Sequence, residues 1–287
     1  MSERVIHLLC TNLEQLRRAR REGYAVPAIN TQGGNYDIIM AICRAAEEMK
    51  SPVILAHYVA TGAYSGHDWF YQVAKWCAEK VSVPVSIHLD HGADFPICME
   101  ALRLGFTSLM IDGSKLPYEG NVEITRRVVA MACGLPVEAE LGTVGGKEDG
   151  MEAKPQYTDP EEAADFVSRT GISSFAVAIG TAHGVYKGEP KLDLDRLSEV
   201  RAKVDIPLVL HGTSGVPENQ VRECIRRGIC KVNYATDLRI AFTAGVKKAI
   251  AEQPDAFDPK KYLAGGRKAV EERVRKLIKL LGSSGKA

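Results

Sequence analysis

The chain has almost no net charge, and this absence narrows the classes of partner that it can bind. Its 37 Lys and Arg and its 36 Asp and Glu give a formal net charge of +1, without a basic block. Nucleic-acid-binding proteins usually carry a basic excess. The sequence therefore argues against a nucleic-acid partner, while a small local site for an anion stays open.

Paired cysteines and long apolar segments are also missing. The seven cysteines are scattered and contain no C-x-x-C pair, which argues against a cysteine zinc site or a redox dithiol. No apolar run approaches the roughly 18 residues that a membrane span requires. Residues 1–21 are charged and lack the apolar core of a signal peptide. We therefore expect a cytoplasmic protein with reduced thiols and no membrane partner.

Neither a linker nor a low-complexity segment divides the chain, so we expect a single domain over residues 1–287. Within it, short apolar runs alternate with polar or glycine residues and then a helical stretch. The eight runs begin 22 to 38 residues apart, at 24–29, 52–57, 84–89, 107–111, 136–140, 174–179, 207–211 and 229–233. Such alternation is typical of a parallel sheet covered by helices on both faces.

Eight such units predict an α/β fold, a (β/α)8 TIM barrel with extra N- and C-terminal helices. A doubly wound open sheet is the alternative, but its Gly-rich phosphate fingerprint is missing after the first run. The segment 159–162, Asp-Pro-Glu-Glu, predicts a helix start. The amphipathic pattern over 266–281 supports a C-terminal helical extension over about 240–287. Residues 142–155 are the longest irregular stretch, and their composition suits a mobile active-site loop.

Polar side chains follow the runs at their carboxyl ends, which in a barrel meet at one face where active sites lie. Five of the seven histidines are at or near these ends: His57, His88, His91, His183 and His211. Three imidazoles from different strands, with carboxylates nearby, predict a divalent metal site, and zinc favours such nitrogen ligands. Each histidine alone would more often be structural. We interpret His88 as a core residue behind the site, and His7 and His67 as surface or loop residues.

Small and hydroxyl-bearing residues follow the last three runs and indicate an anion site. Gly184, the segment Gly-Thr-Ser-Gly at 212–215 and the segment Asn-Tyr-Ala-Thr at 233–236 would expose backbone N–H groups. Barrels often bind phosphate with the loops after strands seven and eight. Ordinary tight turns are the alternative explanation.

Five motifs occur in a fixed order along the chain. They are HLDHG at 88–92, VEAELG at 137–142, GTAHGVY at 180–186, LVLHG at 208–212 and KVN at 231–233. Together they resemble the class II, metal-dependent ketose-bisphosphate aldolases over essentially the whole chain. The segment VNYATDL at 232–238 is most similar to the tagatose-bisphosphate branch, because fructose-bisphosphate members commonly carry Asp where this chain has Ala235.

The resemblance implies a role for each matching residue. One catalytic zinc per subunit would be held by His91, His183 and His211, with Glu140 and Asp112 bordering an alternative metal position. Asp90 would be the acid/base for the C4 hydroxyl, and Glu148 would exchange the proton on the dihydroxyacetone phosphate carbon. The expected substrate-binding residues are Asn30, Gly184, Lys187, Gly212, Thr213, Ser214, Asn233, Tyr234, Ala235, Thr236 and Arg267. A Na⁺ or K⁺ ion bound through backbone carbonyls is a further expectation.

The implied reaction is the reversible cleavage of tagatose or fructose 1,6-bisphosphate to dihydroxyacetone phosphate and glyceraldehyde 3-phosphate through a zinc-stabilised enediolate. The residue types suit it independently. A metal can act as the Lewis acid, Asp90 can take the C4 hydroxyl proton, and a loop glutamate can arrive with closure. The resemblance also implies a homodimer or homotetramer, and a companion subunit in some relatives. Arg267 would reach the second phosphate of a neighbouring subunit's substrate, or else lie on a solvated helix face.

Several alternatives stay open. Many family members carry Ser or Thr near the phosphate of the aldehyde, where this chain has Ala56-His57-Tyr58. A sulfonated or non-phosphorylated acceptor aldehyde is therefore an alternative substrate. Lys231 shares a strand face with Asn233, which makes a Schiff-base aldolase conceivable. A metal-dependent barrel hydrolase and a non-catalytic member of the family complete the set.

Overall fold

A computed structural model describes residues 9–148, 151–153, 156–186 and 188–287. These residues contain eleven strands: β1 (Val26–Asn30), β2 (Val53–Tyr58), β3 (Val85–Gly92), β4 (Ser108–Ile111), β5 (Val137–Leu141), β6 (Gly145–Glu148), β7 (Met151–Ala153), β8 (Ser174–Val177), β9 (Ala182–His183), β10 (Leu208–Leu210) and β11 (Ile229–Tyr234). Eight of them form a closed parallel barrel in the order β1-β11-β10-β8-β5-β4-β3-β2. Each barrel strand falls within or overlaps one predicted apolar run, so the TIM-barrel prediction is confirmed.

The pairing of the first strand with the last closes the barrel and excludes the open doubly wound sheet. Val26 lies opposite Lys231, and Ala28 lies opposite Asn233. The strands are buried over almost their whole length, as the near-continuous apolar runs require, because helices cover the sheet from outside.

The same residues contain eleven helices: α1 (Leu13–Glu22), α2 (Tyr36–Met49), α3 (Val59–Ser65), α4 (His67–Ala78), α5 (Phe95–Leu104), α6 (Tyr118–Met131), α7 (Pro160–Thr170), α8 (Leu194–Lys203), α9 (Glu218–Arg226), α10 (Thr236–Glu252) and α11 (Pro259–Leu281). The predicted start of α7 is confirmed. Asp159 accepts hydrogen bonds from the backbone N–H groups of Glu161 and Glu162, and Pro160 is the first helical residue. None of the helices described is both long and apolar enough to cross a membrane.

The extra helices lie at the two ends of the chain. At the N-terminal end, Leu16 and Ala19 of α1 are buried with Val26, Ala28 and Ile54 of the barrel strands. At the C-terminal end, α11 packs against α10 and α2 and buries the predicted apolar face, formed by Val270, Val274, Leu277, Ile278 and Leu281. The extension expected from about residue 240 corresponds to most of α10, which already begins at Thr236, and to α11.

The expectation that 142–155 is irregular is wrong for most of its described part. Strands β6 and β7 pair in an antiparallel hairpin, and β6 also pairs with β9. Gly146 has a φ of 96°, and an added Cβ would collide with the His183 carbonyl oxygen, so glycine permits this close pairing. Residues 149–150 and 154–155 lie outside the described residues, and the expected mobility of this loop stays a prediction.

All seven cysteines lie in the described part of the chain and are free thiols. Five of them are buried: Cys43, Cys77, Cys98, Cys224 and Cys230. Burial raises the pKa of the Cys98 and Cys224 thiols to about 12, which keeps them in the unreactive protonated form. The expected reduced and mostly buried cysteines agree with this arrangement.

The close packing of α10 on α11 can be tested by substituting one glycine at the contact and a second glycine in a different helix as the control. Gly245 lies where the backbones meet, and an added Cβ would collide with the Gly265 carbonyl oxygen. We expect Gly245→Ala to lower the free energy of unfolding by ~1–3 kcal/mol, because backbone atoms must shift. Gly120 in α6 is the matched control, since its added Cβ would meet nothing closer than Leu116 at 3.4 Å. Gly120→Ala should be neutral or stabilise by up to ~1 kcal/mol in urea denaturation; equal effects at both sites would contradict the packing argument.

Candidate active site

A cavity opens at the carboxyl ends of the barrel strands and collects most of the residues predicted from sequence. Its lining includes Asn30, Asp90, His91, His183, Gly184, Gly212, Thr213, Ser214, Asn233, Tyr234, Ala235 and Thr236. A second cavity of about 240 Å³ shares His91 and His183 and adds Asp112, Glu140 and Tyr58. The carboxylates expected at an alternative metal position therefore lie beside the three histidines.

The structure places one predicted site residue, Arg267, outside both cavities, and two others fall outside what it describes. Arg267 lies on α11, where its Nε donates to Asp37 Oδ1 at 2.8 Å and its guanidinium covers the ring of Tyr36. Its expected role at a neighbouring subunit stays a prediction. Lys187 and the side chain of Glu148 lie outside the described residues, although the backbone of Glu148 ends strand β6.

The other predicted histidines lie away from the cavity. His57 is buried, stacks on Phe70, and shares a 2.9 Å hydrogen bond between its Nε2 and His67 Nδ1. His67 is a partly exposed residue of α4, which agrees with its interpretation as a surface residue. His88 is fully buried behind the site, as expected of a core residue.

His91 enters the cavity because its backbone departs from regular strand geometry. Asp90 and His91 are consecutive in β3, so simple alternation would direct them to opposite faces. His91 has a φ of 50°, and the pairing of β3 with β4 shifts register between Leu89 and Gly92. Such a conformation is costly for a residue with a Cβ and is concentrated at functional sites. It lets both neighbouring side chains line the same cavity.

The three histidines present one nitrogen each to a common point. Ligand atoms of His91, His183 and His211 all lie within 4.8 Å of one another. His91 Nδ1 is bonded to Asp112 Oδ2 at 2.7 Å, which leaves Nε2 facing the cluster. His211 Nε2 is bonded to Glu138 Oε1 at 2.9 Å, which leaves Nδ1 facing His91 Nε2 at 2.9 Å.

The charges around this cluster favour a cation. Burial alone would lower the pKa of His91, but the hydrogen bond to Asp112 and nearby carboxylates outweigh burial and raise it to about 10. Burial and the charge of Asp112 raise the pKa of Glu140 to about 8. Burial and repulsion by the other two imidazoles lower the pKa of His183 to about 3. Carboxylates thus crowd the site and attract positive charge, while His183 and His211, whose pKa values burial lowers, stay neutral and can offer a lone pair to a cation.

The residues present fit a zinc ion. Three imidazole nitrogens are the ligand set of many catalytic zinc sites, with the fourth position left for substrate. Among the described residues, Glu140 Oε2 has no hydrogen-bond partner although it is buried, and it lies 3.8 Å from His211 Nδ1. An unpaired buried carboxylate oxygen is costly unless a cation satisfies it.

Asp90 is held in place beside the histidines. Asn233 Nδ2 donates to Asp90 Oδ1 at 3.1 Å. Burial would raise the pKa of Asp90, but His91, His211 and Lys231 outweigh it and lower the pKa. The side chain is therefore a carboxylate that can accept a proton. Within the part of the chain described, Asn233 Oδ1 and Asn30 Nδ2 are buried without partners, so each can bind a polar ligand.

The opposite wall of the cavity has the features of an anion site. Helix α10 begins at Thr236, and both Ala235 and Thr236 line the cavity, so the positive end of the helix dipole lies at this wall. Ser214 Oγ accepts from Asp237 N at 3.3 Å, which joins the loop after β10 to this helix start. The predicted glycines and hydroxyls therefore meet a helix N-terminus.

Tyr186 was missed as a site residue, although it belongs to a quoted motif. Its hydroxyl accepts from Ala182 N at 2.7 Å and donates to Gly212 O at 2.8 Å. It therefore fixes the segment that carries His183 against the loop that follows His211. A tyrosine three residues after a histidine is a weak sequence signal, because the contact depends on the loop conformation.

Lys231 is not placed to form an imine. Its side chain is fully buried, and its Nζ lies 2.9 and 2.7 Å from the two carboxylate oxygens of Glu138. A Schiff-base lysine must be a neutral amine within reach of the substrate. The structure therefore contradicts the Schiff-base alternative and gives Glu138 a partner, although the sequence assigned that residue no role in the site.

Comparison with known proteins agrees with this site. Residues 11–286 match the family model described as fructose-bisphosphate aldolase class-II. A fructose-bisphosphate aldolase of Thermus caldophilus is 44% identical, covering 98% of this chain and 100% of the relative. The crystal structure of the YdjI aldolase of Escherichia coli K12 superposes with a TM-score of 0.87 at 36% identity, over 98% of this chain and 100% of that one. A putative fructose-1,6-bisphosphate aldolase of Coccidioides immitis gives a TM-score of 0.87 at 32% identity, over 96% of both chains.

With its closed barrel and histidine-lined cavity, the chain belongs to the class II fructose-bisphosphate aldolase family and is a lyase. That family is generally zinc-dependent and acts on small phosphorylated sugars.

The two hydrogen bonds of the Tyr186 hydroxyl, to Ala182 N and Gly212 O, can be tested by substitution. We expect Tyr186→Phe to lower the free energy of unfolding by ~1–2 kcal/mol, because it removes the partner of one backbone N–H and one carbonyl. Tyr157→Phe is the control, since Tyr157 is about half exposed and lies under Arg196. Urea denaturation of both variants checks the difference; a Tyr186→Phe protein as stable as the control would show that the two hydrogen bonds contribute nothing.

Proposed function

We propose that the protein is a zinc-dependent ketose-1,6-bisphosphate aldolase that forms dihydroxyacetone phosphate and glyceraldehyde 3-phosphate. The observation that carries this proposal is the cluster of three imidazoles, two of which, His91 and His183, line one cavity together with Asp90 and the start of α10. A barrel hydrolase would use the histidines but would leave the helix N-terminus and its glycine loops without a function.

The ligands proposed for zinc are His211 through Nδ1, His91 through Nε2, and His183. Glu140 and Asp112 are proposed to border an alternative position, supported by their place in the adjoining cavity. When bound, zinc supplies a Lewis acid that stabilises negative charge on the carbonyl oxygen of the substrate.

Asp90 is proposed to take the proton of the C4 hydroxyl while the C3–C4 bond breaks. The electron pair of that bond stays on the dihydroxyacetone phosphate fragment as an enediolate, and C4 leaves as the aldehyde carbon. The lowered pKa of Asp90 supports this role, because the group is a carboxylate before the reaction starts. Glu148 is proposed to give a proton to C3 of the dihydroxyacetone phosphate fragment. Asp90 then loses its proton to solvent and Glu148 regains one, which restores both groups.

The phosphate of the dihydroxyacetone phosphate fragment is proposed to bind at the start of α10. Backbone N–H groups near Thr236, together with Gly184, Gly212 and Ser214, would surround it. Thr213, Tyr234 and Ala235 are proposed to complete the wall, with Lys187 near the phosphate and Asn30 and Asn233 on the sugar. A Na⁺ or K⁺ ion held by nearby carbonyls remains part of the proposal.

The acceptor end decides which ketose is cleaved, and here two alternatives compete. Ala235 favours the tagatose branch, whereas the Thermus relative is described as a fructose-bisphosphate aldolase. Ala56 offers no hydroxyl to a second phosphate. This observation favours the second candidate, an aldolase whose acceptor aldehyde is sulfonated or carries no anion.

We also propose a homodimer or homotetramer, in which Arg267 reaches a neighbouring subunit's substrate. A companion subunit of a different sequence is the alternative partner. Cytoplasmic location is proposed as well. The free cysteines support it, because structural disulfides belong to oxidising compartments.

The deciding experiment measures dihydroxyacetone phosphate released from tagatose 1,6-bisphosphate and from fructose 1,6-bisphosphate, with and without EDTA. We expect release that EDTA abolishes and that added zinc restores, because carbonyl polarisation depends on the metal. The ratio of kcat/KM for the two sugars identifies the branch. Release that ignores EDTA would refute the metal mechanism. Zinc binding without release from either sugar would favour a different acceptor aldehyde.

Single substitutions separate the proposed roles. His91→Ala, His183→Ala and His211→Ala should lose stoichiometric zinc and at least ~10³-fold in kcat/KM, because the Lewis acid contributes several kcal/mol. Asp90→Ala should keep zinc and lose ~10²–10⁴-fold in kcat, as expected for a general base. His67→Gln, outside the cavity, is the control and should keep both. Zinc content by atomic emission and steady-state kinetics check these outcomes, and a histidine variant with full zinc and full rate would not hold the metal.

A further inference from the structure

A layer of polar side chains crosses the interior of the barrel behind the three histidines. Its members lie on or directly after six barrel strands, and none is more than 2% exposed. We call them the buried polar layer: His88, Ser108, Glu138, Ser174, His211 and Lys231. Barrel interiors are usually filled by branched apolar side chains. A charged pair in this position is costly unless its hydrogen bonds are complete, so the layer calls for an explanation.

The lysine sets the direction of the hydrogen bonds on one side of the layer. Lys231 Nζ contacts the two oxygens of Glu138, at 2.9 and 2.7 Å, and His88 Nε2 at 3.3 Å. An ammonium group only donates, so His88 Nε2 must accept. The hydrogen of His88 is then on Nδ1, which lies 2.8 Å from Ser108 Oγ. All three ammonium hydrogens therefore have an acceptor.

The carboxylate sets the direction on the other side. Glu138 Oε1 lies 2.9 Å from His211 Nε2, and a carboxylate only accepts, so His211 carries its hydrogen on Nε2. Asn233 Nδ2 is also near His211 Nε2, but at 3.4 Å, and it donates at 3.1 Å to Asp90. The shorter, charge-assisted contact determines the tautomer. The lone pair on Nδ1 then faces His91 and the centre of the histidine cluster.

We propose that Glu138 and Lys231 are positioning residues that fix His211 as an Nδ1 donor to the metal. Glu138 holds the imidazole hydrogen on Nε2 and sets the ring orientation. Lys231 balances the charge of Glu138, so that an ionised acceptor can stay in the barrel interior. Partners of this kind orient metal-binding histidines in many proteins. The inference rests on the zinc site of the proposed function. It gives the buried lysine the role of supporting the orientation of a zinc ligand.

A pair of double variants separates positioning from stability. Glu138→Gln with Lys231→Met removes both charges but keeps an amide oxygen that can accept from His211 Nε2. Glu138→Leu with Lys231→Met also removes both charges and leaves His211 without that acceptor. Uncharged replacements of a buried ion pair are often tolerated when both partners change. Ser86→Ala is the control, because Ser86 is another buried hydroxyl of β3 that lacks a hydrogen-bond partner among the described residues.

Zinc affinity is measured on the metal-free proteins by competition with a chromophoric chelator. We expect the Gln/Met protein to bind within about fivefold of the wild type, and the Leu/Met protein to bind roughly 10–100-fold more weakly. The visible spectrum of the Co²⁺-substituted proteins should change only in the Leu/Met protein. Ser86→Ala should match the wild type in both measurements. Equal affinities and spectra in the two double variants would overturn the proposal, whether both resemble the wild type or both are impaired.

A measurement on the wild type keeps the proposal testable if the Leu/Met protein does not fold. Histidines labelled with ¹⁵N give long-range proton–nitrogen correlations that identify each tautomer, and His211→Ala identifies the His211 signals by their loss. We expect the zinc-free protein to show His211 protonated at Nε2; an Nδ1-protonated ring would overturn the proposal. Failure of the proposed function would look different, because the wild-type protein would then bind no stoichiometric zinc.

Discussion

Closure of the parallel barrel is the constraint on which the rest of the molecule depends. Strand β11 pairs with β1 in register, so the carboxyl ends of the first and last strands meet at one rim. Asn233 and Asp90 are 143 positions apart in sequence, yet they share a hydrogen bond there. The cavity draws its walls from segments spread over most of the chain, and none of those segments could form the site alone. The site is therefore a property of the closed sheet.

Charge balance inside the barrel is the second organising feature. Asp90, Glu138 and Glu140 are buried together, and Lys231 is the buried ammonium group beside them. Glu138 is paired with the lysine, and the Asp90 carboxylate lies at the cavity beside the histidines. The barrel interior thus contributes packing below the site, and its buried carboxylates contribute negative electrostatic potential at the cavity.

The sequence was sufficient for the strand order and for most of the cavity, and its failures have physical causes. Apolar runs and residues at their ends predict the barrel rim, because strand geometry repeats regularly. The entry of His91 into the cavity could not be predicted, since a φ of 50° breaks that regularity. Glu138 and Lys231 were not recognised as a pair, because their contact depends on closure across non-adjacent strands. The β6–β7 hairpin resembles a loop in sequence because its glycines serve close pairing with β9.

The buried polar layer also has a consequence for how the chain folds. His88, Glu138 and Lys231 come from the third, fifth and last strands of the barrel, so their hydrogen bonds exist only after the sheet has closed. A partly assembled barrel without β11 would hold the Glu138 carboxylate without the ammonium group that balances its charge, which is unfavourable. Half-closed forms are therefore less stable, and the contacts that stabilise the closed barrel join residues distant in sequence. The groups proposed to orient the histidine therefore complete their hydrogen bonds only when the last strand is in place.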